Sequence, residues 1–375
     1  MSFEQPQFIT DKPEKKSESK EQAERRQCQL ETGEKIEILS KEFSPKETNG
    51  KQNVVFLPGW KMSPESSATT ALGQSFAERS KAKTYVISSR TESEPGTEDV
   101  LLKEAEAISK FIKEKGLTDI VLAGHSQGGD KAIDLVTILQ NDPEIRVHGL
   151  VLLDSMGLYD QAPESLTKNF AKDALINTPV TMAKKIISNP KVAIRGLAAG
   201  NAVTQGIFRE IGKSGISGGI KRMTEEVKSM AKINPRLAKV SVPVILMSGT
   251  EDPVSRPDKI LPPGEEDRMI EEWKRKDNAE GTSTYIDPRE KFLQENVFPE
   301  SPYVRMVAPE KLGHHGLPLL RAESVANASL YLLKRFERRT RTEENLTPSL
   351  NIEEILGPLS DETKRTIQDN TSNPI

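Results

Sequence analysis

This 375-residue sequence has a single cysteine, no long apolar run and no large excess of charge of either sign. The single cysteine, Cys28, excludes an internal disulfide framework and a cysteine-rich zinc site. No run of about 18 apolar residues occurs, so no membrane-spanning helix is expected. Basic and acidic residues number 53 and 56, and this net charge of −3 offers no general attraction to nucleic acid or anionic lipid.

The amino-terminal segment MSFEQPQFITDKPEKKSESK lacks the apolar centre of a secretory signal peptide. Its composition therefore favours a cytoplasmic protein without stable membrane insertion. The sequence gives no indication of the oligomeric state.

Both ends of the chain are rich in charged and small polar residues. Residues 1–30 and residues 339–375 carry too little apolar surface to offset the entropy of ordering, so we expect a disordered amino-terminal tail and a flexible carboxyl-terminal tail. The predicted folded core comprises residues 31–155 and 241–338, with residues 156–240 inserted between its two parts.

Between the tails, short apolar runs alternate with helical patterns. The predicted strands are Ile36–Leu39, Val54–Leu57, Thr84–Ser88, Ile120–Ala123, Gly149–Leu153, Val244–Met247 and Tyr303–Val307. Continuous apolar runs of this length are typical of parallel strands covered on both faces. The alternation predicts an α/β fold with a doubly wound, mainly parallel sheet.

The clearest helical pattern has Leu101, Ala105, Ile108 and Ile112 on one stripe, and Gly116 is placed to end the helix. Further helices are predicted over residues 130–140, 265–276, 288–296 and 320–336.

Residues 156–240 contain helical patterns but no convincing strand. Their glycine- and alanine-rich centre suggests loosely held helices. Because this stretch falls between two strands, we predict a helical lid above the sheet.

One motif carries a chemical prediction. Gly124-His125-Ser126-Gln127-Gly128 matches G-x-S-x-G and stands between a buried strand and a helix. In such a sharp turn the glycines avoid clashes, and the serine projects at the carboxyl edge of the sheet, where open α/β folds place their ligands.

This strand–serine–helix unit resembles the nucleophile elbow of the α/β-hydrolase superfamily, and in particular its capped esterases and lipases. The resemblance covers roughly residues 35–338. It implies a triad in the chain order Ser, acid, His, with Ser126 as the nucleophile.

The resemblance places the base on a loop after the last strand, where KLGHHG supplies His314 and, as the alternative, His315. The acid position is matched by Asp252 in GTEDPV, after the strand VILM. Asp154, which ends the preceding strand, is the alternative acid. The His-His pair lacks the accompanying carboxylate or cysteine pattern of a metal site, so we predict no metal and no cofactor.

The backbone N–H groups of Gln127 and Trp60 are the predicted oxyanion-hole donors, the second of them in the loop LPGW. Trp60 and His125 are the predicted substrate-binding side chains. The expected function is cleavage of a small carboxylic ester with an apolar acyl group through an acyl-enzyme. The same triad could instead act on a thioester, an amide or peptide, a lactone or a carbon–carbon bond, and a non-catalytic ligand receptor with this fold is the remaining alternative.

Overall fold

The computed structural model describes residues 23–60, 62–91, 100–172, 231–250, 252–255, 288–307, 314 and 321–341. The strands are β1 (Glu24–Gln29), β2 (Lys35–Phe43), β3 (Asn53–Leu57), β4 (Thr84–Thr91), β5 (Asp119–His125), β6 (Arg146–Leu153), β7 (Val244–Met247) and β8 (Val304–Val307). The α-helices of the described residues are α1 (Ser67–Ser80), α2 (Val100–Glu114), α3 (Gln127–Leu139), α4 (Pro163–Lys172), α5 (Pro288–Phe292) and α6 (Ala322–Arg341).

The eight strands form one sheet in the order β1-β2-β4-β3-β5-β6-β7-β8. The pairs β1–β2 and β2–β4 are antiparallel, and the remaining neighbours are parallel. The predicted mainly parallel sheet is therefore confirmed. β5 lies near the middle of the sheet, between β3 and β6, so the residue that follows it is held from both sides.

Side chains of β5 alternate between two apolar layers, as the period of two along a strand requires. Ile120 and Leu122 face the layer that contains Ile108 of α2 and Leu135 of α3. Val121 and Ala123 face the opposite layer, which is lined by helices α1 and α6. Helices on both faces make the sheet doubly wound and explain why its central strands are apolar throughout.

The amino-terminal prediction is wrong for part of its range. Residues 24–29, expected within the disordered tail of residues 1–30, form β1 and pair antiparallel with β2. This strand is a polar, largely exposed edge, and the half-buried Cys28 packs against the core. Such a strand is stabilised by its partner rather than by its own apolar content. Residues 1–22 lie outside the described residues.

The other predicted boundaries lie closer to those in the structure. α2 ends at Glu114, and Gly116 follows with φ of +65°, in the left-handed conformation expected at a helix end. α6 continues to Arg341, three residues past the predicted end of the core. The predicted helix over residues 265–276, most of the predicted lid and residues 342–375 lie outside the described part of the chain.

The described ranges contain the six α-helices α1 to α6. None of the helices described there combines the length and the apolar character that a bilayer span requires.

Candidate active site

Ser126 occupies the turn between β5 and α3, where it precedes the first residue of the helix. Its backbone has φ of +54° and ψ of −125°, a conformation that non-glycine residues rarely adopt. Ser126 N–H donates to the backbone oxygen of Leu153 at 2.9 Å, which ties the turn to the end of β6. The strained turn is therefore held in place by the neighbouring strand.

The two glycines of the motif are required by close backbone packing. A Cβ on Gly124 would lie 2.3 Å from the backbone oxygen of Gly128. A Cβ on Gly128 would lie 2.2 Å from the backbone oxygen of Leu57, at the end of β3. Only residues without a side chain can bring the helix this close to the strands, and this explains the G-x-S-x-G spacing in steric terms.

Three side chains that are far apart in the sequence meet at this turn. The Nε2 atom of His314 lies 2.8 Å from Ser126 Oγ, and its Nδ1 atom lies 2.9 Å from Asp252 Oδ2. The other carboxylate oxygen of Asp252 accepts a 2.7 Å hydrogen bond from the backbone N–H of Val254. The result is a continuous hydrogen-bonded chain from carboxylate to imidazole to hydroxyl.

The three side chains are buried: Ser126 is 2% exposed, and His314 and Asp252 are fully buried. Burial by itself would raise the pKa of Asp252. The charge and hydrogen bond of His314, together with backbone hydrogen bonds from Ser255 and Val254, outweigh burial and hold that pKa below its ordinary value. Asp252 is therefore a carboxylate at neutral pH. In that form it accepts the Nδ1 proton of His314 and leaves Nε2 facing the serine hydroxyl.

The loop after β3 lies directly against the elbow. A Cβ on Gly59 would be 3.1 Å from Ser126 Cβ, so this loop passes within contact distance of the serine. Met62 N–H donates to the Gly59 oxygen at 3.0 Å and closes a turn that contains Trp60. Gln127 is the first residue of α3, and the first N–H groups of a helix have no partner within the helix. The two predicted oxyanion donors thus belong to segments that adjoin Ser126.

Both described ends of the 156–240 insertion lie near this edge of the sheet. Gln161 N–H donates to the Ala231 oxygen at 2.7 Å, which joins the two ends to each other. The half-buried Trp60 packs against a small apolar cluster composed of Met156, Leu166, Ala231 and Val254. Trp60 therefore packs against a cluster whose members come from both the insertion and the loop that carries Asp252.

The alternative site residues have different surroundings. Asp154 is fully buried and accepts the Gly249 N–H at 2.8 Å, so it holds the loop after β7 while Asp252 contacts His314. His315 lies outside the described residues. His148, which is not a candidate site residue, is in β6 at the far edge of the sheet, where its ring nitrogens contact Asp119 and Glu337 at 3.0 and 2.7 Å.

His125 has surroundings that the sequence did not suggest. Its ring is fully buried, and its Nε2 lies 3.0 Å from the backbone oxygen of His314. Its contact with substrate stays a prediction. Its nearest described neighbours are thus parts of the site itself.

A buried polar cluster behind the elbow was not predicted from the sequence. Asn234 donates from its side-chain nitrogen to Asp130 at 2.7 Å and to Asp134 at 2.9 Å. Its backbone N–H donates to the Gly157 oxygen at 2.7 Å. Asn234 therefore joins the end of the insertion to α3. The sequence signal was the presence of two aspartates four residues apart on a helix whose other buried residues are mainly apolar or glycine.

Within the described ranges, no three or more His, Cys, Asp or Glu side chains are grouped so as to hold a metal ion.

No family model matches the chain, and no curated protein is significantly similar to it in sequence. Among solved structures, a probable hydrolytic enzyme from Pseudomonas aeruginosa PAO1 is 14% identical, with a TM-score of 0.49 over 87% of this chain and 94% of the other. An esterase from Thermogutta terrifontis is 15% identical, with a TM-score of 0.45 over 85% of this chain and 98% of the other.

An epoxide hydrolase from Vigna radiata is 16% identical, with a TM-score of 0.47 over 85% of this chain and all of the other. These values measure how similar the backbone folds are and say nothing about activity. The strand order, the antiparallel pairings at the β1 edge and the strand–Ser126–helix turn give this chain the α/β-hydrolase fold.

Proposed function

We propose that the protein is a serine hydrolase that cleaves carboxylic esters through an acyl-enzyme. The observation that supports it most directly is the hydrogen-bonded chain Asp252–His314–Ser126, with separations of 2.9 and 2.8 Å. A serine hydroxyl needs a base within hydrogen-bond reach to act as a nucleophile, and His314 is at that distance.

In the first half of the proposed reaction, Ser126 Oγ forms a bond to the ester carbonyl carbon while His314 Nε2 takes the hydroxyl proton. Collapse of the tetrahedral intermediate breaks the bond to the alcohol oxygen, and His314 returns the proton to this leaving group. Asp252 remains ionised throughout and stabilises the imidazolium. Water then attacks the acyl-serine in the same manner and releases the acid.

The developing oxyanion needs fixed N–H donors. We assign this role to the backbone N–H groups of Gln127 and Trp60, because one begins the helix beside Ser126 and the other lies in the loop that contacts the serine. The start of α3 adds positive potential at the same place.

An apolar acyl group is the substrate feature that the surroundings favour. Trp60, Met156 and Leu166 belong to one apolar cluster at this edge, which would contact a hydrocarbon chain more favourably than a charged one. Because Ser126 is only 2% exposed, substrate entry needs an opening, and we assign its control to the 156–240 insertion, whose described ends meet beside the site.

Covalent labelling tests the nucleophile. A fluorophosphonate probe should label the wild-type protein, and Ser126→Ala should not be labelled. Equal labelling of both proteins would contradict the assignment. Turnover of nitrophenyl esters of increasing acyl length tests the substrate class, and a preference for the shortest or for charged acyl groups would argue against the apolar pocket.

A further inference from the structure

His125 is the last residue of β5 and directly precedes the nucleophile. Its side chain is fully buried, and its Nε2 atom lies 3.0 Å from the backbone oxygen of His314. The two imidazole rings are 5.3 Å apart between centroids and inclined by 37°. One side chain therefore touches both the backbone and the ring of the residue that faces Ser126.

The partner atom fixes the tautomer of His125. A carbonyl oxygen accepts hydrogen bonds and never donates, so the proton must reside on His125 Nε2. The Nδ1 atom faces the loop after β3, where a Cβ on Gly59 would lie 2.9 Å away. His125 thus lies between that loop and the His314 backbone, with one nitrogen toward each.

The His125 ring is uncharged at neutral pH. Burial, followed by the nearby charge of His314, lowers the pKa of His125 to about 3. At neutral pH the ring is therefore uncharged and keeps the same donor. It is therefore suited to holding a neighbour in place and unsuited to acting as a second base.

We propose that His125 is a positioning residue, which anchors the backbone carbonyl of His314 so that its imidazole stays within hydrogen-bond reach of Ser126. The proposal rests on the proposed function. β5 is a central strand, and its terminal residue is held by β6 through the pairing of His125 with Leu153. The hydrogen bond from His125 thus connects the end of β5, which precedes Ser126, to the backbone of His314. These two residues are 188 positions apart in the chain.

A matched pair of variants tests the contribution of the hydrogen bond from His125 Nε2 to the His314 carbonyl oxygen. His125→Gln and His125→Met have unbranched side chains of similar size, but only glutamine retains an N–H donor. Displacement of the base by about 1 Å costs roughly 100-fold in rate, so we expect a fall in kcat of about 10- to 100-fold for His125→Met with little change in KM. His125→Gln should recover a substantial part of that loss.

A second readout does not depend on turnover. Hydrogen–deuterium exchange of the peptide that contains His314 should be faster in His125→Met than in the wild type, and close to the wild type in His125→Gln. If both variants exchange and label at the wild-type rate, or if both lose activity equally with unchanged exchange, the proposal is overturned.

The wild-type protein supplies a test that needs no folded variant. Nitrogen NMR of the His125 ring should find the proton on Nε2 and not on Nδ1, and a proton on Nδ1 would overturn the proposal. Failure of the proposed function is a separate result, because it appears as a wild-type protein that neither turns over esters nor reacts with fluorophosphonate. The exchange and NMR results still decide the role of His125 in that case.

Discussion

His314 Nε2 lies 2.8 Å from Ser126 Oγ, although one residue follows the last strand and the other follows the fifth. The carboxyl ends of both strands lie at one edge of the parallel sheet, so the fold brings the two residues together there. Asp252, which follows β7, completes the group at the same edge.

The choice between the two acids can be tested directly. Asp252→Asn should lower kcat by roughly 1,000- to 10,000-fold, because an amide no longer stabilises the imidazolium or enforces the correct tautomer. Asp154→Asn is the matched control, since its remaining oxygen can still accept the Gly249 N–H, and it should retain activity within about tenfold of the wild type. Nitrophenyl ester turnover measures both, and a greater loss in the Asp154 variant would reverse the assignment.

The elbow should not tolerate a side chain on its second glycine. Gly128→Ala would place a Cβ 2.2 Å from the Leu57 oxygen, so we expect a loss of about 3 kcal/mol or more in the free energy of unfolding, or no folded protein. Gly116→Ala is the control: it has positive φ but open space, and it should cost about 1 kcal/mol. Urea unfolding compares the two, and similar costs would argue against the close packing described for the elbow.

Asp130 should make stability depend on pH. Burial raises its pKa to about 7; the neighbouring Asp134 adds to this, and the Asn234 hydrogen bond and the charges of Lys131 and Arg236 oppose it. Between the ordinary value of 3.8 and about 7, the folded state retains a proton that the unfolded state releases. The contribution of Asp130 to the free energy of unfolding therefore falls as the pH rises through that window.

Asp130→Asn removes this titration while preserving shape. Relative to the wild type, the variant should be more stable at about pH 8 than at about pH 5, as measured by urea unfolding at each pH. A stability difference between variant and wild type that is the same at both values would contradict the raised pKa.

Lys131 and Glu104 form an ion pair of 2.5 Å between α3 and α2, with side chains 8% and 9% exposed. Ser89 bridges them by hydrogen bonds of 2.8 and 2.9 Å. Removal of one partner from a buried pair leaves an uncompensated charge, so Lys131→Met should destabilise the protein by about 3–5 kcal/mol. Adding Glu104→Leu should restore most of this loss in urea unfolding, and equal instability of single and double variants would show that the charge is not the cause.

Local sequence was sufficient for the parts of this protein that depend on neighbouring residues. The apolar runs of β3, β5, β6 and β7 are covered on both faces, so their composition alone predicted buried parallel strands. The elbow was equally predictable, because Gly124 and Gly128 are required by contacts within one strand–turn–helix unit and by the strand beside it.

Only the tertiary structure decided the features that depend on distant partners. β1 has no apolar signal of its own and exists through pairing with β2, so its polar sequence resembled a tail. Composition does not distinguish the surroundings of Asp252 and Asp154, since both aspartates follow buried strands. In the folded chain Asp252 contacts His314, whereas Asp154 accepts the Gly249 N–H. His125 contacts His314 across 189 positions and Asn234 contacts Asp134 across 100 positions, and local periodicity cannot predict hydrogen bonds between residues so far apart.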